Sequence, residues 1–149
     1  MTTLPNESTE AAGPRYVLDD QVGFLLRQVS QRHTTIFANH MGAELTPTQW
    51  AALAKLHEVG PTSQNHLGRL TAMDVATIKG VVDRLIARGL IDTAADASDA
   101  RRRLVALTDA GRDLAESRFA VALTITEETL TPLTPDERKL LMQLLDKMR

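Results

Sequence analysis

The stretch Asp96-Ala97-Ser98-Asp99-Ala100-Arg101-Arg102-Arg103, continuing through Leu104-Val105-Ala106-Leu107 into Thr108-Asp109-Ala110-Gly111, decides the fold. Asp96 to Asp99 make an acidic turn that runs straight into three guanidinium groups. The short runs Leu90 to Ala94 and Arg102 to Leu107 flank it. Two extended runs joined by a polar turn predict a β-hairpin, here one whose tip carries the arginines. Directly upstream lie two short helical segments.

The second of these starts at Asp74, a good N-cap, and ends at Gly89, which suits the left-handed position after a helix. Its apolar residues Ile78, Val81, Val82, Leu85 and Ile86 fall in one stripe at about 100° per residue. Ala76, Gly80 and Ala87 lie on the other side, with Thr77, Lys79 and Arg84 on the flanks. Gly in a helix interior costs about 1 kcal/mol relative to Ala. Gly80 is therefore either a tolerated surface glycine or a place where the backbone must lie close to a partner. Upstream, Thr46-Pro47-Thr48-Gln49 forms a capping box with proline at the first helical position. That helix runs to about Glu58, Gly60-Pro61 ends it, and Ser63 or Thr62 caps a short helix from Gln64 to Leu70. Helix, helix and basic hairpin is the layout of a winged helix-turn-helix, whose second helix enters the major groove while the wing follows the backbone. The expected fold is mainly α with a small β-hairpin wing, and the expected function is DNA-binding regulation.

On the N-terminal side, Met1 to about Pro14 has too few apolar residues to fold alone, and residues 1–17 are expected to form a flexible tail. From Leu18 to about Met41, apolar residues recur at three- and four-residue steps and mark a long helix. Beyond the wing, Thr108 caps a helix reaching about Leu130, and Thr134-Pro135-Asp136-Glu137 opens a last one with the apolar stripe Leu140, Leu141, Leu144, Leu145, Met148. These end helices carry more apolar surface than a small core covers. A second copy is the economical cover, and it would set two recognition helices ~34 Å apart for a palindromic operator. The expected division is 46–107 for the DNA-binding unit, with 18–45 and 108–149 as a helical dimerisation region.

With 149 residues, 43% hydrophobic and 24% charged, the chain suits one ordinary soluble domain. It has no cysteine, which excludes disulfides, thiol catalysis and cysteine-ligated zinc and fits a reducing cytoplasm. No apolar run nears 18 residues and no basic, apolar leader is seen, so neither a membrane span nor a secretory signal is expected. The net charge of −2 argues against a polyanionic partner, but its distribution argues for one. Residues 62–103 hold seven basic side chains against five acidic ones. No phosphate-binding glycine loop, nucleophile with its base or paired carboxylates stand out, so neither an enzyme nor a cofactor is expected. A winged helix serving only as a protein–protein module is the rival reading, and three consecutive arginines argue against it.

Candidate DNA-binding residues follow from residue type. Arg101 and Arg102 suit the phosphate backbone or a narrow minor groove, with Asp99 orienting Arg101 and Arg103 turned to the strand exterior. Ala76, Thr77, Lys79 and Gly80 form the groove-facing set, with Asp74 and Arg84 beside them. Ser63, Gln64 and Asn65 open a helix where backbone N–H groups can hold a phosphate. On the first helix, His33 and His40 stand seven residues apart on the stripe of Val22, Leu26, Val29 and Ile36. Three readings are open: satisfied core or interface histidines, a metal-responsive site completed by His57 and His66, or a ligand pocket. The pocket is preferred, with Trp50 stacking on an aromatic ring, His57 nearby, and Arg27 or Arg15 pairing with a carboxylate.

The run Thr77-Ile78-Lys79-Gly80-Val81-Val82-Asp83-Arg84-Leu85, then Arg88-Gly89-Leu90-Ile91, Asp96, Asp99-Ala100-Arg101 and Leu107-Thr108-Asp109-Ala110-Gly111, resembles the recognition helix, wing and following helix of the MarR family. The resemblance covers roughly residues 18–148. It implies a homodimeric transcription regulator, usually a repressor released from its operator by a small ligand. Gly80 and Ala100 depart from the pattern, where relatives often carry larger basic residues. Tyr16-Val17-Leu18-Asp19-Asp20-Gln21 and Ser63 to Leu70 are similar to members that govern breakdown of nicotinate-type acids. This resemblance implies an aromatic or N-heteroaromatic carboxylate effector, with hydroxynicotinate as a candidate.

Overall fold

The computed structural model describes residues 13–149, so most of the expected tail lies outside the described residues. A short 3-10 turn, Leu18–Asp20, precedes six helices and one hairpin: α1 Val22–Met41, α2 Pro47–Val59, α3 Gln64–Leu70, α4 Val75–Ala87, β1 Ile91–Ala95, β2 Arg103–Leu107, α5 Asp109–Leu130 and α6 Pro135–Met148. The caps sit where local chemistry puts them. The Thr46 and Thr134 hydroxyls accept from Gln49 N and Glu137 N, and both capping boxes close. Ser63, Asp74 and Thr108 cap α3, α4 and α5 in the same way.

One core joins these elements. Ile36, Phe37 and Met41 of α1 meet Leu53 and Leu56 of α2, Ile78, Val82 and Leu85 of α4, and Ala115 and Ile125 of α5. Leu67 of α3, Ile91 of β1 and Val105 of β2 complete it. Ile86 leaves the predicted α4 stripe and is 38% exposed. At the α3–α4 crossing, Gly68 permits close approach, since a Cβ there would lie 3.0 Å from Ile78 Cγ2 and 3.2 Å from the Met73 carbonyl oxygen.

β1 and β2 pair antiparallel from Ile91 opposite Leu107 to Ala95 opposite Arg103. Each strand starts one residue later than the sequence suggests. Leu90 is spent on the junction, its N–H donating to Leu85 O and its carbonyl accepting from Thr108 N, while Arg102 N donates to Asp99 O in the turn. At the tip, the amide and hydroxyl of Ser98 donate to Asp96 Oδ1 at 2.9 and 2.8 Å. The Ser98 amide first, then its hydroxyl, hold the Asp96 carboxyl below the usual carboxylate range. Thr62 does not cap α3 but forms an isolated bridge with Val105, with N–H···O distances of 3.1 and 2.8 Å in the two directions. The wing is thereby fastened to the α2–α3 connection.

The start of α5 locks against the end of α4. Gly89 takes φ +70°, Thr108 Oγ1 donates to its carbonyl at 2.6 Å, and Gly111 N donates back to Thr108 Oγ1 at 3.1 Å. Gly111 is fully packed here: a Cβ on it would lie 1.9 Å from the Leu90 carbonyl oxygen. At the other end of α5, the Arg32 guanidinium donates to the carbonyls of Thr129 and Glu128 at 2.7 and 3.0 Å, satisfying groups that a helix end leaves open. By contrast, α6 buries no residue, and Val22, Leu25, Leu26 and Val29 on the first half of α1 are about half exposed or more.

Gly111→Ala is expected to destabilise the protein by about 3 kcal/mol, because a methyl group has no room against backbone that is itself hydrogen-bonded. Thermal or urea unfolding measures this, and a loss below about 0.5 kcal/mol would mean that α5 shifts without cost.

Candidate DNA interface and effector cleft

The residues expected to face the groove all lie on α4, Val75–Ala87. Ala76, Thr77 and Lys79 are exposed, and Lys79 Nζ reaches Asp83 Oδ2 at 2.8 Å one turn on. Gly80 is half-buried because Arg84 folds back over it, so that a Cβ would meet Arg84 Nη1 at 3.4 Å. That is ordinary van der Waals contact, so a methyl group would fit beneath this arginine. The Asp74 carboxylate caps α4, accepting from Thr77 N at 2.7 Å; that backbone bond first, then the Thr77 hydroxyl, lower its pKa. The capping residue is itself exposed.

Ser63 is likewise engaged, its hydroxyl accepting from His66 N at 3.3 Å. Gln64 is half-buried and Asn65 exposed. A cleft of about 270 Å³ between α3 and α4 is lined by Asn65, Arg69, Met73, Asp74 and Val75 among others. Arg69 and the exposed Val75 join this surface although sequence reasoning passed over them. In the wing, the Arg101 side chain is 93% exposed and held at its base by Asp99 Oδ1, which accepts from Arg101 N at 3.1 Å and Nε at 3.3 Å. Arg102 is exposed. Arg103 instead crosses the hairpin and donates to Thr93 Oγ1 at 2.9 Å.

The second site lies between α1, α2 and α5. His33, Phe37, Trp50, Ala122, Ile125 and Thr126 line a cleft of about 140 Å³. His33 is half-buried, its Nδ1 2.8 Å from Thr129 Oγ1. Phe119 of α5 packs edge-on against both Trp50, with centroids 5.9 Å apart, and His57, at 4.9 Å. His57 Nε2 also lies 3.0 Å from Glu116 Oε1. Of the residues singled out for a pocket, the fold brings His33 and Trp50 to the cleft and His57 behind its aromatic wall. His40 lies outside it, exposed and bonded to Glu128. Arg15 and Arg27 are exposed and do not line it. Among the described residues, no three His, Cys, Asp or Glu side chains gather as a metal site.

Glu44, in the loop after α1, joins three elements. Arg118 of α5 pairs with its carboxylate, and Arg88, at the end of α4, donates from Nη1 to its backbone carbonyl at 2.7 Å. Phe119, next to Arg118 in the chain, packs edge-on against Trp50, which lines the cleft. Nothing in the sequence alone pairs residues 44, 88 and 118, which is why periodicity and capping missed them. A separate apolar groove of about 380 Å³ runs between α1 and the α5–α6 end, lined by Val22, Leu25, Leu26, Val29, Leu141 and Leu145 with others.

A family model described as MarR family matches residues 43–102, from before α2 to the wing. The chain is 40% identical over 134 residues to the HTH-type transcriptional repressor NicR of Pseudomonas putida, covering 89% of this chain and 85% of that protein. It is similar in structure to a probable transcriptional regulator from Pseudomonas aeruginosa, with 55% identity, a TM-score of 0.84 and coverage of 89% of this chain and 100% of the other. BpsR of Bordetella bronchiseptica, whose DNA binding is regulated by 6-hydroxynicotinic acid, superposes with a TM-score of 0.87 at 40% identity over 91% of this chain and 97% of its own. The family is one of transcription regulators, not enzymes, and no helix among the described residues is long and apolar enough to cross a membrane. With the helix–helix–wing order in place and relatives matching over most of their length, the chain belongs to the MarR family of winged helix-turn-helix transcription regulators.

Proposed function

We propose that the protein is a homodimeric, cytoplasmic repressor that binds a palindromic operator and is released by a small aromatic or N-heteroaromatic carboxylate of the hydroxynicotinate type. The observation that carries this reading is the aromatic-walled cleft of His33, Phe37 and Trp50, set between α1, α2 and α5 in a chain 40% identical to BpsR, whose DNA binding 6-hydroxynicotinic acid regulates. At about 140 Å³ it is well below the ~300–1,000 Å³ of drug-sized sites, which favours a single-ring acid. His33 supplies a hydrogen-bonding imidazole and Trp50 a ring edge and face.

In this reading residues 46–107 bind DNA, while 18–45 and 108–149 form the dimer. The apolar groove between α1 and α6 supports that division, because Val22, Leu26, Val29 and Leu145 stand uncovered in the single chain. Val29→Glu would place a charge in that face. The expected result is a monomer by sedimentation with operator affinity lowered at least about tenfold; a dimer of normal affinity would move the interface elsewhere.

Thr77, Lys79 and Ala76 present the base-reading edge of α4, Ser63, Gln64 and Asn65 approach a phosphate, and Arg101 and Arg102 follow the backbone. Replacing both wing arginines with Ala should weaken binding to all duplexes and lower the log–log salt slope by about 0.9 for every phosphate no longer neutralised. An unaltered slope with unaltered affinity would remove the wing from the interface.

The two helical histidines separate the pocket from the scaffold. His33→Ala is expected to leave operator affinity within about twofold while raising at least tenfold the 6-hydroxynicotinate concentration needed for release, whereas His40→Ala should leave release unchanged. Fluorescence anisotropy of labelled operator under ligand titration measures both. Normal release from folded His33→Ala protein would reject this cleft as the effector site.

A further inference from the structure

The described arginines near the DNA-facing surface do not share one role, and Arg88 is the informative exception. It closes α4 as its C-cap, on an element that packs against the wing, so position alone suggests a phosphate contact. Its guanidinium points the other way. Nη1 donates to the Glu44 carbonyl at 2.7 Å and stands 3.4 Å from Gln49 Oε1, the same oxygen that accepts from Thr46 N at 3.3 Å to close the α2 capping box. Glu44 in turn is gripped from the opposite side, its carboxylate paired with Arg118 Nη2. Arg118 Nε is shielded from solvent and has no hydrogen-bond partner among the described residues. Buried polar groups are normally satisfied, so the Arg118 guanidinium leans on Glu44 for its compensation, and loss of that carboxylate would leave a partly buried cation unpaired.

We infer that Glu44 is a positioning residue for DNA binding: clamped by Arg118 of α5, it offers its backbone carbonyl to Arg88 and so fixes the end of the recognition helix against the α1–α2 loop. Arg88 then acts on affinity without touching DNA. Three elements that need not move together are tied at one residue, which sets the angle at which α4 leaves the helical layer. This rests on the reading that α4 enters the groove.

The test uses full-length protein and a duplex recovered by selection from random DNA. Arg88→Ala, Glu44→Gln and the double variant are compared by operator affinity across a salt series and by thermal melting. Each single variant is expected to lose about tenfold in affinity, the order of one charge-assisted hydrogen bond, with the wild-type salt slope retained. The double variant should lose no more than the weaker-binding single one, as groups acting through one node do. A slope lowered by about 0.9 in Arg88→Ala would make this residue a phosphate ligand and overturn the inference. So would losses that add in full, or a lowered melting point with unchanged affinity, which would make the node merely structural. Should wild-type protein select no duplex, the DNA reading itself fails, an outcome distinct from binding with altered slopes.

Discussion

The contact on which the rest depends is the one between the α-carbon of Gly111 and the carbonyl of Leu90. At that point the first turn of α5 presses on the chain segment leaving α4, so near that a Cβ would lie 1.9 Å from the oxygen. The Thr108 hydroxyl works on both sides of this junction, donating to Gly89 and accepting from Gly111. Because Leu90 leads directly into β1, the same few atoms fix where the recognition helix stops, where the wing starts and where the long C-terminal helix departs. A DNA reader needs α4 and the wing at a fixed separation, and this junction supplies it from backbone groups, which are stiffer than side chains.

Outward from that junction the molecule divides by how completely each part is covered. The α2–α4 unit buries its apolar stripe almost entirely, with Leu53, Leu67, Ile78 and Leu85 inaccessible to solvent. The other half is held to it by both long helices: Ile36, Phe37 and Met41 enter the core from α1 and Ala115 and Ile125 from α5, while Arg32 caps the far end of α5. Hydrogen bonds from α1 through His33 and His40 to the last turns of α5 stitch this seam, and the cleft at Trp50 opens where the seam meets α2. An occupant of the cleft would touch both layers at once. In the proposed reading, coupling between ligand and DNA needs two arrangements of a packed element.

Five of the six helix starts are legible in the sequence because capping is local chemistry: Thr46, Ser63, Asp74, Thr108 and Thr134 each reach an amide three residues on, whereas α1, expected from Leu18, starts at Val22 without a side-chain cap. The hairpin is legible for the same reason. What the sequence conceals is long-range. Thr62 looks like a cap and is a strand partner, Gly68 and Gly111 look like ordinary helix residues and are points of closest approach, and Glu44 lies 44 residues from Arg88 and 74 from Arg118. Periodicity places His33 and His40 on one stripe, which the seven-residue spacing does require. That spacing also separates them by about 10 Å along the axis, so one small cleft receives the first while the second meets Glu128.

The wing tip turns on its own hydrogen bonds. Asp96 binds Ser98, Asp99 binds Arg101, and the closing amide bond runs from Asp96 N to Arg102 O, all within seven residues that bury nothing in the core. A segment that owes its shape only to itself can be lengthened, recharged or exchanged without repacking anything else. Changes in this turn can therefore alter the charge and reach of the wing, while the lock at Leu90 and Gly111 keeps the strands that carry it tied to the end of α4.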